Sequence, residues 1–229
     1  MNALVVGDLK FAVRRSDRRR TMQITVERDG SLTMTAPPKC QREQLEKFAR
    51  AKRLWVYEKL ALKDELPPSV RKEFVSGEGF PYLGRSHRLQ LVADDRAPLR
   101  LAAGRFKLPR AATRAGEQLF IGWYIEHAQL WLEARVAAWA ARLGVTPSSV
   151  TVRDQGYRWA SCGAGGRLYF HWRVIQLPPR LIDYLIVHEL VHLTHDDHGR
   201  AFWAAVARAM PDHDQRRVEL RTLGPAVVW

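Results

Sequence analysis

The chain has 229 residues, 46% of them hydrophobic, and its 37 Lys+Arg against 24 Asp+Glu give a formal net charge of +13. That content supports one large or two small folded cores, and the absence of an apolar run of about 18 residues excludes a transmembrane helix. Two distant cysteines, Cys40 and Cys162, build no disulfide framework, and the first ten residues lack the pattern of a signal peptide, so a reducing cytoplasm is the expected home.

Strands are expected first. Met22, Ile24 and Val26 alternate with polar residues, Asp29-Gly30 is a hairpin signal, and Leu32, Met34 and Ala36 continue the alternation. Pro37-Pro38 stops it. One long helix is predicted from Arg42 to Leu62, with Leu45, Phe48, Ala49, Trp55, Val56 and Leu60 facing inward, until Pro67-Pro68 breaks the pattern. Residues 74–108 look like strands again, punctuated by Gly77, Gly79, Gly84 and Gly104. A second long helix is expected from Arg114 to Leu143, closed by Gly144, with Leu119, Trp123, Leu130, Val136 and Trp139 as its core face; His127 reads as a packing or capping residue. Short strands at Val150–Val152, Trp159–Ser161 and Leu168–Arg173 lead to Pro178-Pro179, which opens an apolar helix. Phe202, Trp203, Val206 and Met210 pattern another, and Asp212 to Arg221 a last, polar one. The predicted class is α+β, in two parts: a basic, mainly β region at 1–110 containing one long helix, and a second domain at 111–229. No internal repeat is visible.

Charge follows the same division. Residues 1–110 hold 24 of the 37 Lys+Arg and 13 of the 24 Asp+Glu; the remainder of the chain is nearly neutral. Arg14, Arg15, Arg18, Arg19 and Arg20 cluster, and Lys47, Arg50, Lys52, Arg53 and Lys59 stud the first predicted helix. Such a region suits nonspecific contact with nucleic acid, although no nucleic-acid motif is present and a plainly solvated face is the favoured explanation.

The chemistry concentrates at His188-Glu189-Leu190-Val191-His192. On a helix the two histidines stand one turn apart on one face, where both imidazoles reach one metal ion, and Glu189 is placed to activate a water. His198 and His195 compete as third ligand. On a continued helix His195 lies about 10 Å along the axis from His188, whereas His198 follows Asp196-Asp197 and precedes Gly199, where the chain can turn back. That favours His188, His192 and His198 as metal ligands, with one Zn2+ per chain; three protein ligands with an open fourth position is the catalytic zinc pattern. The competing reading is a hydrogen-bonded core cluster. Nearly all-round apolar surroundings, from Leu181 to Leu193, argue against it, because unpartnered polar groups there cost roughly 2 kcal/mol or more each.

Arg158-Trp159-Ala160-Ser161-Cys162, Phe170-His171-Trp172-Arg173, Pro178-Pro179, Asp183-Tyr184, the His188–Leu193 run, His198, Phe202-Trp203 and Met210-Pro211-Asp212 together resemble the YgjP-like metallopeptidases, relatives of the SprT and WLM zinc proteases. In the first half, the Asp29-Gly30 hairpin, Ala36-Pro37, Trp55 and Tyr82-Leu83-Gly84 are similar in a looser way. Ala160 and His171 depart from that family's usual glycine and asparagine. Metzincins share the spacing to His198 but have glycine where His195 stands. The resemblance implies a zincin-like fold at 111–229, the ligands His188, His192 and His198, and Glu189 as catalytic acid/base.

The reaction expected is peptide-bond hydrolysis, with zinc polarising the scissile carbonyl and Glu189 shuttling the proton. The strand Leu168–Arg173 is expected to border the cleft and pair with an extended substrate. Arg158, Tyr169 and His171 are the candidate substrate-binding residues, with Tyr157 a further candidate beside Arg158 and His171 for stabilising the oxyanion. Cys162 reads as a packed residue beside Trp159. The partner is a protein or peptide substrate. Two alternatives remain: a nucleic-acid-associated protein with a structural zinc, or a protease recruited to DNA-bound substrates.

Overall fold

The computed structural model describes the chain except residues 1, 18, 27–29, 65–71, 94–97, 157, 225, 226, 228 and 229, and the side chains of residues 2, 58 and 62–64. It divides into two compact units, Met1–Pro68 and Ser69–Trp229.

In the first unit, β1 (Asn2–Val6), β2 (Leu9–Arg15), β3 (Gln23–Val26) and β4 (Leu32–Ala36) form a sheet of order β1-β2-β4-β3. The β1–β2 hairpin was not anticipated, although Leu4, Val6, Leu9 and Phe11 alternate with exposed neighbours around Gly7, whose φ of 65° suits the turn. β3 and β4 pair antiparallel, as the alternation predicts; Asp29 of the expected turn lies outside the described residues, as does Pro67-Pro68. The single long helix is instead two, α1 (Arg42–Ala51) and α2 (Arg53–Asp64), parted at Lys52. The Gln41 amide donates to Gln44 Oε1 at 2.9 Å in a reciprocal cap that starts α1. Leu45, Ala49 and Val56 supply the buried stripe against the sheet, and Trp55, about 100° round from Val56, is left exposed.

The second unit repeats that strand plan. β5 (Gly79–Tyr82), β6 (Arg85–Val92), β7 (Arg100–Ala102) and β8 (Arg105–Pro109) are ordered β5-β6-β8-β7, with β6 and β8 parallel as β2 and β4 are. The sequence shows no repeat, because only the alternation and turns are shared. The expected boundary at 110/111 falls inside this unit. Phe80 on β5 stacks on Phe120 at 3.9 Å between centroids, Phe106 on β8 meets Trp123 at 4.8 Å, and the Tyr124 hydroxyl donates to Pro81 O at 2.7 Å. Since Phe120, Trp123 and Tyr124 belong to α3 (Gly116–Leu143), strands and helix share one core.

α3 ends at Gly144, whose φ of 67° is the left-handed cap that the sequence predicts. Its buried stripe runs Phe120, Tyr124, Ala128, Leu132, Val136 and Ala140, and Leu130, expected inside, is exposed on the far side. His127 stacks on Trp123, a packing role as expected. A third sheet, β9 (Ser149–Arg153), β10 (Ala160–Gly163) and β11 (Arg167–His171), is ordered β10-β11-β9. Then come α4 (Pro179–Val191), α5 (Arg200–Ala209) and α6 (His213–Leu223). α4 is buried almost throughout and packs on α3, α5, α6 and β10. The class is mixed α+β, and no helix among the described residues is long and apolar enough to cross a membrane.

Candidate metal centre

α4 begins where Pro178 and Pro179 supply the fixed φ of a first turn. Asp183, buried one turn in, accepts both guanidinium arms of Arg135, at 2.6 and 2.7 Å, and the Trp139 indole N–H at 3.0 Å. This pins α4 to α3 just ahead of His188. The helix closes at His192, its last carbonyls taken up by Leu193, Thr194 and His195 amides. The chain then turns through Asp196-Asp197, where the Gly199 amide donates to Asp197 Oδ1 at 2.8 Å before α5 starts.

This turn returns His198 to the helix. Its Nε2 lies 2.9 Å from His188 Nε2 and 3.1 Å from His192 Nε2, so three nitrogens converge. His195, the rival third ligand, stays outside that cluster: its ring Nδ1 meets Thr194 Oγ1 at 2.9 Å. Its backbone carbonyl instead meets His192 Nδ1 at 2.9 Å, which places that ring's proton on Nδ1 and leaves the Nε2 lone pair facing the cluster. Phe202 on α5, 1% exposed, packs against all three rings with centroids 4.6 to 4.9 Å away. Sequence reasoning counted Phe202 only as a helix-core residue.

Electrostatics favour the uncharged form of two of the rings, His188 and His198. Burial, with His192 and His198 beside it, pushes His188 down to about 3. His198 is lowered too, by burial and by His192. Uncharged imidazoles are the form that binds metal. Glu189 is 6% exposed, and burial pushes its carboxyl up to about 7 against the Cys162 amide and the Arg158 charge, which favour ionisation. Burial and the nearby carboxyls of Glu189 and Asp196 raise the Cys162 thiol, so it stays protonated.

The histidines and Glu189 open on a cleft of about 820 Å³, lined further by Arg158, β10 and the turn at Gly163–Gly166. Here the structure corrects three expectations. β11 does not offer an edge: it is the central strand, and β10 is the edge that borders the cleft. His171 is fully buried, its Nδ1 accepting from the Arg173 amide at 3.0 Å and its Nε2 lying 3.2 Å from Asp154 Oδ1, so it supports the loop ahead of β10 instead of meeting substrate. Tyr169 is absent from the cleft lining and lies under the Arg153 guanidinium at 4.1 Å. Of the three candidates Arg158 alone reaches the cleft; Tyr157 lies outside the described residues. β9, the other sheet edge, is closed by the Gln129 side chain, which donates to Val150 O at 2.9 Å and accepts from the Val152 amide at 2.8 Å. Only the fold reveals that, since Gln129 lies 21 and 23 residues ahead of Val150 and Val152 in the chain.

No curated protein matches the chain. Among solved structures, the crystal structure of the metallopeptidase zymogen of Pyrococcus abyssi abylysin is 22% identical, with a TM-score of 0.38 over 40% of this chain and 92% of that one. The family model described as YgjP-like, metallopeptidase domain, matches residues 20–223, from ahead of β3 to the last turn of α6. A match of that extent covers most of the chain, reaches into both compact units and includes all three converging histidines, and by it the chain belongs to the YgjP-like metallopeptidase family.

Proposed function

We propose that the chain is a zinc-dependent peptidase with a zincin-like domain, in which His188, His192 and His198 hold one zinc ion and Glu189 is the general acid/base. The observation that carries this reading is the convergence of three imidazole nitrogens beside a buried carboxyl on one open cleft. The donor set fits the metal: neutral nitrogen ligands suit zinc, and no fourth His, Cys, Asp or Glu joins the cluster among the described residues, as a closed structural site would require. When bound, the ion supplies Lewis acidity toward a scissile carbonyl and a water.

The protein's own groups do the rest. A Glu189 oxygen takes the proton from the attacking water and returns it to the leaving amine nitrogen. A carboxyl held near neutrality suits both transfers. The Cys162 amide orients it. An extended substrate pairs with β10, the edge strand that lines the cleft, through main-chain hydrogen bonds that ignore side-chain identity. Arg158 faces the same space and is the candidate for holding a substrate carbonyl or developing oxyanion. Two free thiols fit a reducing compartment such as the cytoplasm.

Hydrolysis of an unfolded protein such as casein, abolished by a chelator and restored by zinc, tests the reading. Stoichiometric zinc without cleavage of any peptide would overturn it in favour of a structural site.

Nucleic-acid affinity rests on charge alone. The first unit holds 15 Lys+Arg against 9 Asp+Glu and the second 22 against 15, so the surplus is shared between them. Arg14, Arg15, Arg19 and Arg20 are exposed, and Arg15 also donates to Pro38 O and Cys40 O and so clips the β4–α1 connection; Arg18 lies outside the described residues. Recruitment to DNA-bound substrates would appear as hydrolysis stimulated by DNA at low salt.

A further inference from the structure

The first unit carries a groove that the peptidase reading does not use. It runs between the segment before β3, the β4–α1 connection and one side of α1, and encloses about 870 Å³. Its floor is apolar and half-buried: Met22, Cys40 and Phe48, with Cys40 Sγ 3.5 Å from Met22 Sδ. Its rim is cationic: Arg20, Lys39 and Lys47 are all exposed, none is ion-paired among the described residues, and no carboxylate lines the groove.

Each feature selects the occupant. Three cations without a facing anion favour a negatively charged partner. An apolar floor half open to water favours a partner that also covers it with aliphatic side chains. Thioether and thiol groups are soft and accept varied apolar shapes, as a peptide groove of broad tolerance requires. A single strand of nucleic acid fits less well, because stacking platforms present successive aromatic faces and this groove has Phe48 alone. We propose that the groove between β4 and α1 binds an acidic peptide segment whose apolar side chains seat on Met22, Cys40 and Phe48 while its carboxylates meet Arg20, Lys39 and Lys47. The site is independent of the metal centre and stands whether or not the peptidase reading does.

Fluorescence anisotropy on the full-length Glu189→Gln protein tests it without consuming the probe. The probe is a short fluorescein-labelled peptide alternating Glu and Leu. Saturable binding that weakens with added salt is expected. Affinity should fall on the order of tenfold in the Lys39→Glu/Lys47→Glu protein, whose exposed substitutions leave thermal unfolding unchanged. It should fall comparably when the peptide's Leu residues become Ser, which tests the floor without altering the protein. Absence of saturable binding overturns the proposal. So does equal affinity for the Leu-to-Ser peptide, which reduces the groove to a charged surface. Displacement of the peptide by equimolar oligo-dT, lost in the same double variant, assigns the groove to nucleic acid and also overturns it.

Discussion

Gly84 sits against Pro178 so closely that a β-carbon on Gly84 would lie 2.9 Å from the Pro178 α-carbon. The contact joins the β5–β6 turn to the start of α4, and is flanked by hydrogen bonds from the Leu83 amide to Ile175 O at 2.8 Å and the Gly84 amide to Gln176 O at 3.2 Å. Gly84 also has a φ of +77°. Gly84→Ala therefore adds backbone strain and a collision with main chain that cannot rotate away, and should cost about 2–4 kcal/mol. Gly104→Ala is the control, with a φ of +70° and nothing within 4 Å of its β-carbon, so only the strain of about 1 kcal/mol applies. Urea unfolding of the two variants checks this; equal costs would mean that the Pro178 contact yields freely.

The third ligand is decided by two substitutions. His198→Ala should abolish tight zinc binding. His195→Ala keeps its backbone carbonyl, the group that meets His192 Nδ1, and should retain the metal. Metal analysis of the purified proteins separates them, and the assignment fails should the His195→Ala protein alone lose zinc.

Glu189→Gln should retain zinc and the fold while hydrolysis drops about a hundredfold or more, as the loss of a general acid/base requires. Peptidase activity equal to the wild type would exclude the proton shuttle proposed for this carboxyl.

The same carboxyl makes a prediction for the metal-free protein. Its folded pKa is raised from 4.5 to about 7, so the unfolded state releases the proton first as pH rises. Its contribution is fully present below pH 4.5, is lost progressively as pH climbs to about 7, and amounts to roughly 3 kcal/mol. Metal-free Glu189→Gln should lack this fall. Parallel stability–pH curves for the two metal-free proteins over that window would contradict it.

Asp183 and Arg135 hold α4 on α3. Arg135→Ala leaves the Asp183 carboxylate, 8% exposed at its side chain, held by the Trp139 N–H alone among the described residues. Because the Arg135 side chain is 45% exposed and water can enter in its place, the cost should be about 2–3 kcal/mol, below that of breaking a fully buried pair. Denaturant midpoints of Arg135→Ala and Arg135→Lys measure it. The lysine protein should fall between, since an ammonium cannot make the paired contact.

Much of this site was legible because its spacing is local. Two histidines four apart on an apolar helix face one direction whatever surrounds them, and Asp196-Asp197 ahead of Gly199 marks the turn that returns His198. The Gly144 stop and the presence of strands near residues 160 and 168 were readable on the same ground, but not that the first of them, rather than the second, borders the cleft. Helix faces were less so: Leu130 and Trp55 are as apolar as residues that are buried, and composition does not say which of two adjacent stripes meets the core.

The sequence by itself determined the types of most elements from Met22 onward, the spacing of His188, His192 and His198, and Glu189 beside the first of them, all consequences of short-range periodicity. Tertiary structure decided which strand is an edge, that His171 and Tyr169 lie off the cleft, that Gln129 closes β9, and that residues 79–109 share a core with α3. Those outcomes depend on contacts between residues far apart in the chain. Such contacts are fixed by the joint filling of one core, and a single strand or helix carries no record of the partner on its other side.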